Sequence, residues 1–208
     1  LSVLKNSPQK DASTIDFSEL HTAYYTNHFV VDPLGGTEGD NNIFIGKKDG
    51  HEVNFLDLGG NYFLVMYAFE NWRGAADETT VPYEKAPEAL LPAGLDASLA
   101  YQDVAHMRNA YKVSIRKNPE AAKTLIQKQG GVGISFRVSR EYYNEENNCY
   151  YSTVGGAPNH AVVVVGWDDN FPKENFNVQP KHNGAWLIRN SWGDNGDGLS
   201  GYFWMSYD

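Results

Sequence analysis

A histidine and an asparagine thirty residues apart are the side chains best suited to chemistry in this 208-residue sequence: His160 in PNHAVVVVGW and Asn190 in AWLIRNSWGDNG. His160 stands just before a run of β-branched residues and Asn190 just after a second apolar run. Both therefore fall at strand ends, where a rigid sheet can hold two polar side chains close together. An asparagine carboxamide oxygen accepts a hydrogen bond from one imidazole nitrogen. That fixes the tautomer and aims the other nitrogen at a reacting group, so the histidine is a base awaiting a nucleophile. Trp192, two residues past the asparagine, is placed to cover that hydrogen bond and keep water from competing for it.

The sequence holds one cysteine, Cys149, in YYNEENNCYYSTVGG. A nucleophilic thiol wants a depressed pKa, whereas Glu145 and Glu146 beside it raise the pKa, so Cys149 reads as a small structural residue on a turn or strand. A single cysteine excludes intrachain disulfides and thiolate zinc clusters. The six histidines never recur at the i, i+4 spacing of a zinc protease, and no metal or other cofactor is expected. The loop containing Asp194, Asn195 and Asp197 has oxygen ligands and glycines reminiscent of a calcium loop, but it lacks the downstream bidentate glutamate and reads as a tight turn.

The formal charge is −9 and no basic run occurs, which works against binding to phosphate backbones or anionic lipid. Nucleic acid is not an expected partner. No stretch approaches the roughly 18 consecutive apolar residues of a membrane span. The first residue is Leu1, so the chain reads as processed or as a fragment of a longer one.

The elements that must position these residues form an α+β pattern, helical in the first half and strand-rich in the second. Ser18 predicts an N-cap for a helix from Glu19 to about Phe29, with Leu20, Ala23, Tyr24 and His28 on its apolar face. Residues 32–50 read as a long surface loop, and a second helix is expected over Tyr62–Trp72, after Gly59 and Gly60. Residues 74–100 are loop-like. Beyond them come one or two strands within 101–115, a helix over 118–129 with Pro119 at its first position, and a strand over 132–138. The run 161–167 reads as a strand covered on both faces, and 185–189 and 202–206 complete the sheet. There is no internal repeat.

NHAVVVVGW followed by GAWLIRNSWGDNGDGLSGYFWM is similar to the His and Asn motifs of papain-like cysteine peptidases, in the right order. DFSELHTAYY resembles the helix that follows the nucleophile in that family, LGGNYFLVMYAF its double-glycine substrate segment, and VPYE its Pro-Tyr turn. The resemblance implies a two-lobed fold: a mainly helical lobe over 1–105, lacking its first, Cys-bearing helix, and an antiparallel, β-barrel-like lobe over 106–208, with the active site in the cleft between them. It assigns His160 and Asn190 to a Cys-His-Asn site, Trp192 to its support, and Gly59, Gly60 and the Asn159 backbone carbonyl to contact with an extended peptide.

One departure matters. The family's Cys-Trp signature does not occur, although the nucleophile is expected roughly 130 to 150 residues before the histidine. The 32–50 loop looks like an insertion, which moves the expected position to just before Leu1 and makes LSVLKNS resemble the tail of the nucleophile helix. The implied activity is peptide hydrolysis, with a protein or peptide substrate and an upstream Cys-bearing segment as partners. A non-catalytic peptide- or partner-binding module and an acyl transferase to amines are the alternatives. The poverty in cysteine resembles bacterial members of the family, which are exported or held at the cell surface.

Overall fold

Ser18 ends an extended segment, and its side chain starts the first helix, α1 (Glu19–Asn27), by accepting a 2.8 Å hydrogen bond from the His21 amide. The same hydroxyl donates to the Val81 carbonyl at 2.6 Å, so the cap also ties the helix to a distant loop. Leu20, Tyr24 and Tyr25 of α1 pack with Phe55, Val81 and Leu95 in one apolar cluster. A computed structural model describes residues 11–28, 30–31, 46–193 and 199–208. It divides into two units, with the division between Tyr111 and Lys112.

In the helical unit, the described end of the expected loop is a short hairpin, β1 (Lys47–Lys48) against β2 (His51–Glu52). Asp49 and Gly50 both adopt positive φ, 51° and 82°. These are the angles of a type I′ turn, and Asp-Gly is a pair that supplies them readily. The rest of that loop lies outside the described residues. A 3₁₀ turn at Phe55–Leu58, capped by Asn54, leads through Gly59 to α2 (Tyr62–Glu70). Asn61 caps α2 by accepting from the Phe63 and Leu64 amides at 2.9 and 3.2 Å. A one-turn helix, α3 (Ala86–Ala89), follows.

The strands expected within 101–115 do not form. A 3₁₀ turn occupies Ala97–Tyr101, and the segment after it touches strand-like backbone only at an isolated bridge between Ala75 and Ala105. Val113 and Ile115, whose β-branched character suggested a strand, instead pack as side chains against the core of the second unit.

That unit opens with α4 (Pro119–Gln129). Asn118 caps it by accepting from the Ala121 amide at 3.1 Å, Pro119 occupies the first turn where no amide is needed, and Gly130 closes it in the left-handed conformation at φ 93°. Ala122 and Ile126, one turn apart, are its buried residues. The six strands are β3 (Val132–Phe136), β4 (Tyr143–Asn144), β5 (Cys149–Tyr150), β6 (His160–Asp168), β7 (Ala185–Arg189) and β8 (Tyr202–Ser206). Their order is β3-β6-β7-β8-β5-β4.

Two expectations need correction here. The sheet is open, with β3 and β4 as its edges, rather than barrel-like, and the β5–β8 pair is parallel. Nor is β6 buried on both faces. Val162 and Val164 are buried against α4, Ile188 and Phe203, whereas Ala161 is exposed and Val163 and Val165 are half-buried. One helix covers one face, so the strand is one-sided despite its unbroken apolar sequence.

Candidate active site

His160 is the first residue of β6 and pairs in register with Phe136, the last residue of β3. Asn190 follows directly on β7, and its backbone amide continues the β7–β8 ladder by donating to the Gly201 carbonyl at 2.8 Å. The β6–β7 register aligns Val163 with Arg189 and Val164 with Ile188. Carried one residue further, that register sets Val162 opposite Asn190, and carried three further it sets His160 opposite Trp192. With period-two alternation, His160 shares the face of Val162 and Val164, and Asn190 shares the face of Trp186 and Ile188. One face of two neighbouring strands thus delivers the imidazole, the amide and the indole to the same end of the sheet.

His160 Nε2 lies 2.8 Å from Asn190 Oδ1. The amide's other contacts settle which of its ends faces the ring: Nδ2 donates to the Leu199 carbonyl at 2.6 Å, and Oδ1 also accepts from the Ser191 amide at 2.8 Å. An oxygen that only accepts must face a ring N–H, so the proton sits on Nε2, and in the neutral ring Nδ1 carries the lone pair. Trp192 stacks on the imidazole with ring centroids 4.4 Å apart and 26° between planes. Asn190 is 3% exposed and Trp192 39%, so the hydrogen bond lies beneath an indole that itself meets solvent. Water is kept from the amide, and the bond is correspondingly stronger. Phe136, across the β3–β6 ladder, meets the His160 ring edge-on, with centroids 5.7 Å apart and planes at 61°.

Cys149 stands apart from this arrangement. It is fully buried in β5, in a separate apolar cluster with Phe171, Phe176 and Ala185, and its thiol donates to the Asn175 carbonyl at 3.1 Å. Burial pushes the thiol up to about 11. The physical cause is desolvation and not the neighbouring glutamates, both of which are exposed. A protonated, hydrogen-bonded, enclosed sulfur is not a nucleophile.

The Asn159 side chain acts as a surrogate strand. Its Oδ1 accepts from the Val138 amide at 2.7 Å and its Nδ2 donates to the Val138 carbonyl at 3.2 Å, which extends β3 past its last ladder pair. Gly59 has φ 67° and closes the 3₁₀ turn, and a Cβ built on either Gly59 or Gly60 meets nothing within 4 Å. The Asp194–Asp197 loop lies outside the described residues, and no group of His, Cys, Asp and Glu able to hold a metal occurs among the described ones. Phe136, Leu199 and Ser191 were invisible to sequence reasoning because their roles depend on strand register and on backbone contacts to the amide.

A family model described as papain family cysteine protease matches residues 54–208. Cathepsin B-like cysteine proteinase 3 of Caenorhabditis elegans is 34% identical over 101 residues, which are 46% of this chain and 23% of that protein. The gut-specific cysteine proteinase of the same nematode is 29% identical over 124 residues, 59% of this chain and 34% of that protein. Among solved structures, the clostridial cysteine protease Cwp84 after propeptide cleavage has a TM-score of 0.64 and 28% identity over 99% of this chain and 45% of that one. The cysteine protease and lectin-like domains of Cwp84, a surface layer associated protein of Clostridium difficile, give 0.63 and 29% over 99% of this chain and 40% of that one. The matches therefore span a quarter to a third of these curated relatives and less than half of the solved chains.

Proposed function

Because this chain belongs to the papain family of cysteine proteases, we propose that His160 and Asn190 are the base and the orienting residue of a Cys-His-Asn site that hydrolyses peptide bonds. The observation that carries the reading is the 2.8 Å hydrogen bond from His160 Nε2 to an amide whose direction two backbone groups fix. It leaves Nδ1 to draw a proton.

The nucleophile comes from a segment upstream of Leu1, since the one thiol in these 208 residues is buried and bonded. Its thiol gives a proton to Nδ1, forming a thiolate and imidazolium pair. The sulfur attacks the peptide carbonyl, the C–N bond breaks, and Nδ1–H protonates the leaving amine. Water then loses a proton to Nδ1 and attacks the thioester, and the C–S bond breaks to release the acid. Asn190 holds the ring throughout, and Trp192 shields the bond that does so.

Gly59, Gly60 and the Asn159 backbone carbonyl contact the extended substrate. At Gly60 the chain itself leaves room for a side chain, so the close approach of another backbone explains the glycine better than internal packing does. No helix among the described residues is long and apolar enough to cross a membrane. The likeness to a surface layer associated protease favours an exported bacterial enzyme.

The test uses the complete protein, upstream segment included, with a fluorogenic peptide. Hydrolysis that is abolished by His160→Ala and by alkylation of the upstream cysteine supports the reading. Hydrolysis that persists in His160→Ala overturns it, and a residue other than cysteine at the upstream position turns the molecule into a peptide-binding module. Amine-dependent product formation in place of hydrolysis would mark an acyl transferase.

A further inference from the structure

We propose that Phe136 is a positioning residue for the His160 imidazole, the second wall of a slot whose first wall is Trp192; this inference rests on the catalytic reading of His160. Phe136 and His160 are the terminal register pair of the β3–β6 ladder, so their side chains emerge side by side on one face. The indole lies along the imidazole at 26° between planes, while the phenyl meets it at 61°. Swinging the ring about its Cβ–Cγ bond would break the Asn190 hydrogen bond and the aromatic contacts on it.

Phe136 is itself held fast. Its ring packs edge-to-face on Tyr150, with centroids 5.3 Å apart, and 6.3 Å from Phe203. Tyr150, 3% exposed, donates its hydroxyl proton to the Arg137 carbonyl at 2.8 Å and accepts from the Ser139 amide at 3.2 Å. It thereby grips the backbone immediately beyond Phe136. On the other side, Asn159, one residue before His160, binds both backbone polar groups of Val138 through its side-chain amide. The end of β3 is stitched to the start of β6 from two directions, and the stitched unit presents one aromatic ring to the imidazole. The other half-buried residues of β3, Val132 and Ile134, are aliphatic and lie further from this end. A site whose orienting groups are locked by their own neighbours keeps its reacting atom in place between turnovers.

The test compares Phe136→Ala and Phe136→Leu in the complete protein with Ile126→Ala, which truncates a core residue on α4 away from the imidazole. Phe136→Ala is expected to lower kcat about 10- to 100-fold with KM within about twofold, and to hasten solvent exchange of the His160 Nε2 proton in histidine-labelled ¹⁵N spectra. Phe136→Leu, which restores most of the volume, recovers most of both. Should Phe136→Ala not fold, the leucine variant still serves, with a smaller drop in kcat and the same direction of proton exchange. An unchanged kcat and Nε2 proton exchange in Phe136→Ala, or in Phe136→Leu where the alanine variant does not fold, overturns the proposal, as does an equal loss in Ile126→Ala, which would make the effect merely structural. If His160→Ala is inactive while the Phe136 variants are normal, the positioning role alone fails; if His160→Ala is active, the catalytic reading fails first.

Discussion

The Leu199 carbonyl accepts a 2.6 Å hydrogen bond from the Asn190 amide nitrogen, and this contact turns the amide oxygen toward His160. Leu199 adopts a positive φ of 68° and is 1% exposed, so a strained residue from the far side of a loop anchors the orienting group.

Replacing Asn190 separates anchoring from orientation. Asn190→Ala loses the hold on Nε2 and leaves the Leu199 carbonyl unpaired, at about 1–3 kcal/mol of stability. Asn190→Asp keeps the size but sets a carboxylate oxygen against that carbonyl in a buried position, so it is expected to melt below Asn190→Ala despite being nearly isosteric. Both lower kcat and leave peptide binding in place. Thermal denaturation decides the matter, and an Asp variant as stable as the parent would show that Leu199 does not set the amide's direction.

Cys149 is expected to stay unmodified when the folded protein is treated with an alkylating reagent at pH 7.5, because burial holds its thiol protonated up to about 11. Peptide mass mapping should find it modified only after denaturation. The unfolded chain releases this proton at lower pH than the fold does, so stability falls as pH rises from about 9 toward 11. Cys149→Ala should leave activity intact and remove that alkaline loss; rapid labelling of native Cys149 would contradict the burial argument.

Local signals served the reading of this chain well. Ser18, Asn118 and Pro119 announced two helices because caps act within a turn, and His160 and Asn190 were legible because strand ends leave punctuation. Information carried by pairing was not legible. The apolar run of β6 has the same composition whether one helix or two cover it, and nothing in Val113 or Ile115 says that they pack without a ladder. Phe136 owes its place beside His160 to a register set across twenty-four residues. The open edges of the sheet, likewise, follow from strand order and not from any single strand.

Asn159 offers a prediction that separates fold from chemistry. Its side chain satisfies both polar backbone groups of Val138. Both bonds are open to solvent, so Asn159→Ala should cost about 0.5–1.5 kcal/mol and loosen the β3 end. Hydrogen exchange at the Val138 amide is the direct measurement. Protection equal to that of the parent would mean that the strand holds itself without the surrogate pairing.

His21 gives the helical unit an acid limit. The ring is 1% exposed, its Nε2 donates to the Leu99 carbonyl at 3.0 Å, and its Nδ1 is buried with no partner. Burial lowers its pKa; the Leu99 bond and the charge of Asp103 oppose that shift, and the buried guanidinium of Arg73 reinforces it. Charging the ring would also set it against the guanidinium of Arg73, which hydrogen-bonds the Tyr25 carbonyl and is only 4% exposed. The folded state therefore refuses a proton that the unfolded chain takes up near pH 6.5. Stability is complete above that value and declines as pH falls through it, by at most about 1.4 kcal/mol per pH unit until the folded pKa is reached. His21→Gln, whose amide can still donate to Leu99, should flatten this limb. Melting temperatures of both proteins between pH 7.5 and 5 provide the comparison, and parallel curves would assign the acid loss to other groups.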